Sequence, residues 1–435
     1  MTIQTFSCNL FKNHITEDDI NKAVKINEAG GNLYIVGGFI RDIILNRQPG
    51  DKDYCVEGLT PEIFENLFPE AKLVGKKFPV YLINNKEYSL AFKKASAKNN
   101  FNYFRKNYSP NITIKEDLMR RDFTINAMAL DIVENKLITV SNSLNDIKNK
   151  KIRVISEKFT EDPLRVYRAA RFAAELNFEV TPKTLKKMGK LKNKLTDISR
   201  ERIYEEFKKA LNSPNPDLFF TVLKSSKVLN IHFKEIDNLW HVKQPEKFHP
   251  EIFVHKHFLQ SLQLLKEYPE KNHFRFAVSM HDIGKGLTPE KEIPRHYSHD
   301  QLGIKVLNKF VDRIIIPQKW YQAAKIAIAE HMRIRKWKEM KAGKVVKLFQ
   351  KIKRSPLTIE DMINLVEIDK RARGVNKPLH ENINFGNNLK TLYQRLFAET
   401  GGKDINSDKY SGEEFGNKLF QYRCEWLDKK REDIR

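Results

Sequence analysis

Two hydrophobic rhythms share this chain. Up to about residue 155, short apolar runs alternate with turn residues, a strand signature. Leu33-Tyr34-Ile35-Val36, Tyr54-Cys55-Val56, Val80-Tyr81-Leu82-Ile83 and Tyr88-Ser89-Leu90-Ala91-Phe92 predict strands, and Asn84-Asn85 predicts a hairpin turn. Residues 71–74 and two pieces within 132–155 extend the strand set, and helices are predicted over 18–28 and 61–67. From Glu161 onward the period is helical, with helices over 161–173, 181–194, 199–211, 216–229, 274–280 and 365–373. Residues 236–250, with Trp240, Pro245 and Pro250, read as a linker, and residues 93–111 as a basic, aromatic loop without periodicity. The fold class is therefore an α/β head, a small mixed sheet with helices, followed by a mostly α-helical remainder.

The densest chemistry lies in the first half, from Leu33 to Glu57. An apolar run meets Gly37-Gly38, then Ile40, Ile43 and Ile44 recur at helical spacing, Pro49-Gly50 breaks the helix, and Asp51-Lys52-Asp53 enters the next strand. Residues two apart on a strand share a face, so Asp51 and Asp53 converge. Two converging carboxylates repel unless a cation joins them. Mg²⁺ prefers one or two carboxylates completed by water and phosphate oxygens. Side-chain-free Gly37 and Gly38 let a phosphate chain approach the backbone, and the following turn can offer it N–H groups. That layout belongs to phosphoryl transfer from a nucleoside triphosphate. Further on, Arg120-Arg121-Asp122-Phe123-Thr124-Ile125-Asn126-Ala127 supplies arginines suited to triphosphate and polar groups suited to a ribose hydroxyl. Then Glu161-Asp162-Pro163-Leu164-Arg165 starts a helix, with Asp162 as cap and Pro163 in the first turn, so that Asp162 and Arg165 lie close. Arg168 and Arg171 extend its basic face.

Composition narrows the setting. The chain has 435 residues and a formal net charge of +23, an excess that points to nucleic acid as partner. No apolar run reaches the ~18 residues of a membrane span, and Met1 to Phe6 lacks the basic-then-apolar start of a signal peptide. Cys8, Cys55 and Cys424 stand far apart, which argues against a disulfide framework or zinc site and for a reducing cytoplasm.

A second constellation sits later. Seven of the 12 histidines fall between His249 and His299. The sharpest element is His281-Asp282-Ile283-Gly284-Lys285-Gly286, directly after an apolar helix. With His257 from the preceding helix and Asp369 from a later one, His281 and Asp282 make a mixed nitrogen and oxygen set for Mg, Mn, Ni or Fe. His296, His299 and His331 are further imidazoles, able to complete a second site or contact phosphate.

The His257, His281-Asp282, Asp369 pattern resembles the HD phosphohydrolase domain. The three earlier motifs, in their order, resemble the class II CCA-adding tRNA nucleotidyltransferases and their poly(A) polymerase relatives, in the proteobacterial form with a C-terminal HD block. The resemblance covers roughly residues 31–430. It implies an N-terminal lead-in (1–30), a nucleotidyltransferase head (31–155), a helical neck and RNA-binding body (156–235), an HD domain (236–390) and a basic helical tail (391–435). It implies template-independent addition of the 3′-terminal CCA of tRNA from CTP and ATP, with no membrane partner. Asp51 and Asp53 would be the catalytic Mg²⁺ ligands. Gly37, Gly38 and Arg41 would cradle the triphosphate, while Arg121, Asp122 and Asn126 would position ribose and phosphates. Asp162 and Arg165, with Arg168 beside them, would select the base. Cytosine and adenine both present an amino donor beside a ring-nitrogen acceptor, which a carboxylate and a guanidinium match; uracil and guanine set a carbonyl against the carboxylate. His257, His281, Asp282 and Asp369 would hold Ni²⁺ or another divalent ion for a phosphohydrolase activity. Alternatives are a poly(A) polymerase, a CC-adding specialist, and an HD phosphohydrolase with a degenerate transferase head. The sequence departs from the family at Phe92-Lys93-Lys94-Ala95-Ser96, in the loop tied to switching from C to A. It departs again at Thr139-Val140-Ser141-Asn142-Ser143, where an Asp-Pro…Gly element is missing although Asp146 remains.

Overall fold

The strand-like runs of the first half assemble into one eight-stranded sheet. In chain order its strands are β1 (Ile3–Ser7), β2 (Asn32–Val36), β3 (Asp53–Glu57), β4 (Lys72–Val74), β5 (Val80–Ile83), β6 (Lys86–Leu90), β7 (Met128–Asp131) and β8 (Lys136–Val140). They lie in the order β1-β8-β7-β2-β3-β6-β5-β4. Only β3 and β6 pair in parallel; the other neighbours are antiparallel. The computed structural model describes every residue except 1–2, 8, 76–78, 92–108, 141, 248, 375–379, 403–409, 411 and 431–435. The altered segment from Phe92 to Ser96, most of the expected 93–111 loop, Ser141 and Cys8 lie outside the described residues.

The period-2 pattern sets which side chains face which layer. On one face Tyr34, Val36 and Cys55 join Ala127, Ala129, Ile138 and Val140, covered by Ile114 and Leu118 of the Ile114–Leu118 helix. On the other, Tyr54 and Tyr88 stack with centroids 4.5 Å apart, a contact worth about 1 kcal/mol beyond its buried area. Lys52 and Tyr54 both reach Asp19 of the Glu17–Glu28 helix on that side. The Asn84-Asn85 hairpin forms as expected, with φ of 49° and 62°. One strand escaped the sequence: β1, from the polar N-terminal stretch, pairs with β8. It has too few apolar residues to announce itself, because the edge position asks little of them.

Two compact units divide the chain at residues 191 and 192. The second is built of helices, with no strand among its described residues beyond an isolated bridge between Lys243 and Phe253. The expected linker at 236–250 is instead folded structure. Trp240 stacks on His255 at 5.1 Å, and the Gln244 N–H donates to the Ile252 carbonyl at 2.7 Å. The prolines there shape turns within a packed wall rather than marking a boundary.

Candidate functional site

The head site is built at the mouth of β2 and β3. Gly37 ends β2 with φ 81° and ψ −132°, a conformation open chiefly to glycine, and its N–H donates to the Met128 carbonyl at 3.1 Å. A Cβ at Gly37 would lie 3.3 Å from Arg121 Nη1. The Gly38–Ile44 helix follows at once. Strand β3 begins at Asp53, so Asp51 stands in the approach to the strand and not within it as expected. The alternation nevertheless extends back: Lys52 and Tyr54 both engage Asp19 on the opposite face. Pairing in parallel sets Glu87 beside Asp53. This third carboxylate was not singled out in the sequence, because only the long-range register of β3 with β6 brings it there. Burial first, and then the negative charges of Glu87 and Asp51 against the opposing Arg121, push the Asp53 carboxyl above its usual range. Like charges set near one another repel less once a cation joins them.

Behind the carboxylates runs a buried polar network. Arg41 donates to Asn126 Oδ1 at 2.6 Å and to Asp42 Oδ1 at 3.0 Å. Asn126 donates in turn to Asp122 Oδ1 at 3.3 Å, and Arg168 Nε donates to Asp122 Oδ2 at 2.7 Å. Burial would raise the Asp122 carboxyl, but Arg168 and Arg165 outweigh it and bring it to about 2. Arg121 pairs with buried Asp117 at 3.1 Å. Asp146 accepts from Thr124 Oγ1 at 2.7 Å and from Arg153 at 3.0 Å, fixing the turn that carries Asn126. Asn142, where the family pattern is altered, holds φ 73° ahead of the helix bearing Asp146. The structure thus joins Arg41, Asp122, Asn126 and Arg168 in one network.

The selector pair is arranged differently from expectation. The helix begins at Arg165, with Leu164 rather than Asp162 at its cap position. Asp162 accepts from the Leu164 N–H at 3.2 Å, forming a local turn around Pro163. Arg165 donates to the main-chain carbonyls of Lys158 and Arg120, each at 2.8 Å. Those two bonds fix its aim and leave the rest of its five-donor fork. Ser89, Asp117, Arg120, Arg121 and Arg165 line a cavity of about 140 Å³ there. Arg171 stands apart, paired with Glu175 at 2.7 Å.

In the helical unit, His257, His281, Asp282 and Asp369 come together, all buried, their ligand atoms within 4.8 Å of one another. His257 Nε2 lies 3.2 Å from Asp369 and 3.7 Å from Asp282; His281 Nε2 lies 3.5 Å from Asp282. The Nε2 atoms of His257, His281 and His299 are buried without a hydrogen-bond partner among the described residues. Burial opposes ionisation of both aspartates, yet each is held well below the usual carboxylate range, Asp282 by Lys285 and His281, Asp369 by His257 and Arg373. A donor set of imidazoles and ionised carboxylates with orphaned nitrogens fits a divalent transition metal. Glu251, unnoticed in the sequence, stands 3.1 Å from His257 Nδ1 and 2.9 Å from His249 Nδ1. The His249 contact is a hydrogen bond, whereas His257 Nδ1 is only near the carboxylate. His296 is not a spare imidazole: its nitrogens bond Thr288 at 2.8 Å and the Lys243 carbonyl at 3.0 Å.

Comparison with known proteins matches three family models along the chain. Residues 33–153 match the model of the Poly A polymerase head domain, 177–239 that of the probable RNA and SrmB-binding site of polymerase A, and 254–372 that of the HD domain. A "Multifunctional CCA protein" of Shewanella frigidimarina is 38% identical over 350 residues, covering 78% of this chain and 84% of the relative. One from Mannheimia succiniciproducens is 37% identical over 354 residues, again 78% and 84%. The fold is similar to that of the Thermotoga maritima CCA-adding enzyme complexed with tRNA, with a TM-score of 0.64 at 19% identity, covering 100% of this chain and 98% of the other.

Proposed function

The chain belongs to the family of CCA-adding tRNA nucleotidyltransferases with a C-terminal HD domain, and from that premise we propose that its head rebuilds the 3′-terminal CCA of tRNA from CTP and ATP through Asp51 and Asp53. The observation that carries this is the strand register that sets Glu87 beside Asp53, with the charge of Asp51 also felt at Asp53 and the Gly37 turn lying against Arg121. Asp51 and Asp53 would hold Mg²⁺, which supplies activation of the tRNA 3′-hydroxyl and charge neutralisation on the departing pyrophosphate. Gly37 and Gly38 leave the backbone open to the triphosphate, and Arg121 neutralises it. Asp122 and Asn126 orient the ribose, held rigid by Arg41 and Arg168. Asp162 and Arg165 read the amino donor and ring nitrogen shared by cytosine and adenine, so no nucleic-acid template is needed. Base choice then depends on how firmly Arg165 is anchored, and its two carbonyl bonds support that role. Asp53→Ala tests the assignment: incorporation of labelled CTP into tRNA lacking its 3′ end should vanish, and retained incorporation would refute it.

The second unit carries a separate proposal. His257, His281, Asp282 and Asp369 hold a divalent metal, Ni²⁺ among the candidates, and the domain hydrolyses phosphate esters. Hydrolysis of a 2′,3′-cyclic phosphate that survives His281→Ala would exclude these ligands as its source. No described helix is long and apolar enough to cross a membrane, and the separated cysteines suit work in the cytoplasm.

A further inference from the structure

The residues before 33 lie outside the matched head domain, yet they bear on the parts of the head that carry its chemistry. Asp19, on the Glu17–Glu28 helix, is fully buried. Its Oδ2 accepts from the Lys52 ammonium at 2.5 Å and from the Thr16 N–H at 2.8 Å, and its Oδ1 accepts from the Tyr54 hydroxyl. Burial would raise the Asp19 carboxyl, but the bonds from Lys52 and Tyr54 outweigh it and bring it to about 2. The carboxylate is therefore ionised and its bonds are of the stronger, charge-assisted kind. His14 meets the Phe39 ring edge to face at 6.1 Å, in the helix that follows Gly37, and the Lys52 ammonium lies 5.5 Å from the centre of the same ring.

Lys52 separates Asp51 from Asp53. The ladder of β2 with β3 ends at the pair Val36 and Asp53, so Asp51 and Lys52 lie beyond it and strand pairing does not fix their direction. The alternation of an extended chain continues back through Lys52, which shares Asp19 with Tyr54. An ammonium tied to a buried carboxylate on the far face therefore turns its two neighbours toward the near one. The next strand repeats the device. Lys86 precedes Glu87 as Lys52 precedes Asp53, and its ammonium reaches Asp18 at 3.1 Å and Asp19 at 3.8 Å. The Tyr54–Tyr88 stack joins the two strands on that same far face.

We propose that Asp19 is a positioning residue for nucleotidyl transfer: it clamps Lys52 from the far face of the sheet and so aims the Asp51 and Asp53 carboxylates together at Mg²⁺. This rests on the transferase reading of the head, and the experiment separates the two. CTP binding to the full chain is measured by calorimetry without tRNA, in chelator and then in Mg²⁺, and CTP incorporation into tRNA lacking its 3′ end is timed separately. Asp19→Asn keeps an acceptor for the Thr16 N–H but drops the charge, and Lys52→Met removes the ammonium alone. In each, CTP affinity in chelator should stay unchanged, because the Gly37 turn and Arg121 are untouched. The gain in affinity that Mg²⁺ brings should fall at least about tenfold, the loss expected when a group behind a metal ligand is removed. At saturation kcat should also fall at least about tenfold, since a shift of ~1 Å at reacting groups costs about a hundredfold. Lys52→Arg, which keeps a cation for Asp19, should recover most of both. The double variant should be no worse than the poorer single, because both changes break one bond. Full Mg²⁺ gain and full kcat in Lys52→Met would overturn the clamp, whether or not Asp19→Asn folds. Losses that multiply in the double variant, or CTP affinity lost equally in chelator, would overturn it as well. An unaltered chain that shows neither Mg²⁺ gain nor incorporation would overturn the transferase reading, and the clamp with it.

Discussion

Asp53 and Asp282 are the central carboxylates of their units, and their surroundings are opposite in sign. Around Asp53 stand Asp51 and Glu87, with Arg121 as the main opposing charge, and its carboxyl is pushed up. Around Asp282 stand Lys285 and four imidazoles, those of His257, His281, His299 and His331, and its carboxyl is pulled well down. The head site is thus incomplete by construction. On the proposed reading, metal and triphosphate relieve that repulsion when they bind, which suits a hard ion exchanged at each turnover. The helical site is ionised and furnished with nitrogen donors beforehand, which suits a resident transition metal. An enzyme can place two metal chemistries on one chain by giving one centre too much negative charge and the other balanced donors.

Several experiments would break or sharpen that contrast. The largest effect belongs to Asp51→Ala and Asp53→Ala, each of which should cut CTP incorporation by at least about a thousandfold; Glu87→Gln should fall between these and the unaltered chain. Brief gel filtration through weak chelator comes next. It should abolish CTP addition, which Mg²⁺ alone restores, while elemental analysis still finds metal in the helical unit. Asp162→Ala should lower the preference for C over U by at least about tenfold, since the carboxylate is what rejects a carbonyl; unchanged preference would remove the selector role.

Smaller effects concern stability. Asp122 is lowered from the ordinary 3.8 to about 2, so its contribution is full above about pH 4 and is lost as pH falls toward 2. Asp122→Asn should therefore cost about 2 kcal/mol at pH 7 by urea unfolding, with the difference fading in that acid window. Asp53 runs the other way. Its raised carboxyl makes ionisation unfavourable to the metal-free fold as pH rises, so Asp53→Asn should raise the melting temperature slightly in chelator at pH 8. A fall would mean that Asp53 is compensated by positive charge after all.

The sequence displayed the parts of each site that are close in the chain. Gly37-Gly38, Asp51-Lys52-Asp53, Arg120 to Asn126 and His281-Asp282 declare their chemistry by local spacing, and the α/β head with a helical remainder followed from period alone. What stayed hidden depends on contacts between distant segments. Glu87 acquires meaning only through the parallel pairing of β3 with β6. Glu251 matters only because His257 packs over it, and residues 236–250 looked like a linker because their polar side chains are buried against that site. The start of the Arg165 helix was misjudged for a local reason. Asp162 and Pro163 favour a turn as readily as a cap, and the turn prevailed.

The most direct measurement is sequencing of tRNA 3′ ends after incubation with CTP and ATP. A head that couples Asp51 and Asp53 to selection by Asp162 and Arg165 should convert ends lacking the terminus to CCA and stop there. Long A tails, ends halted at CC, or ends left unchanged would contradict it.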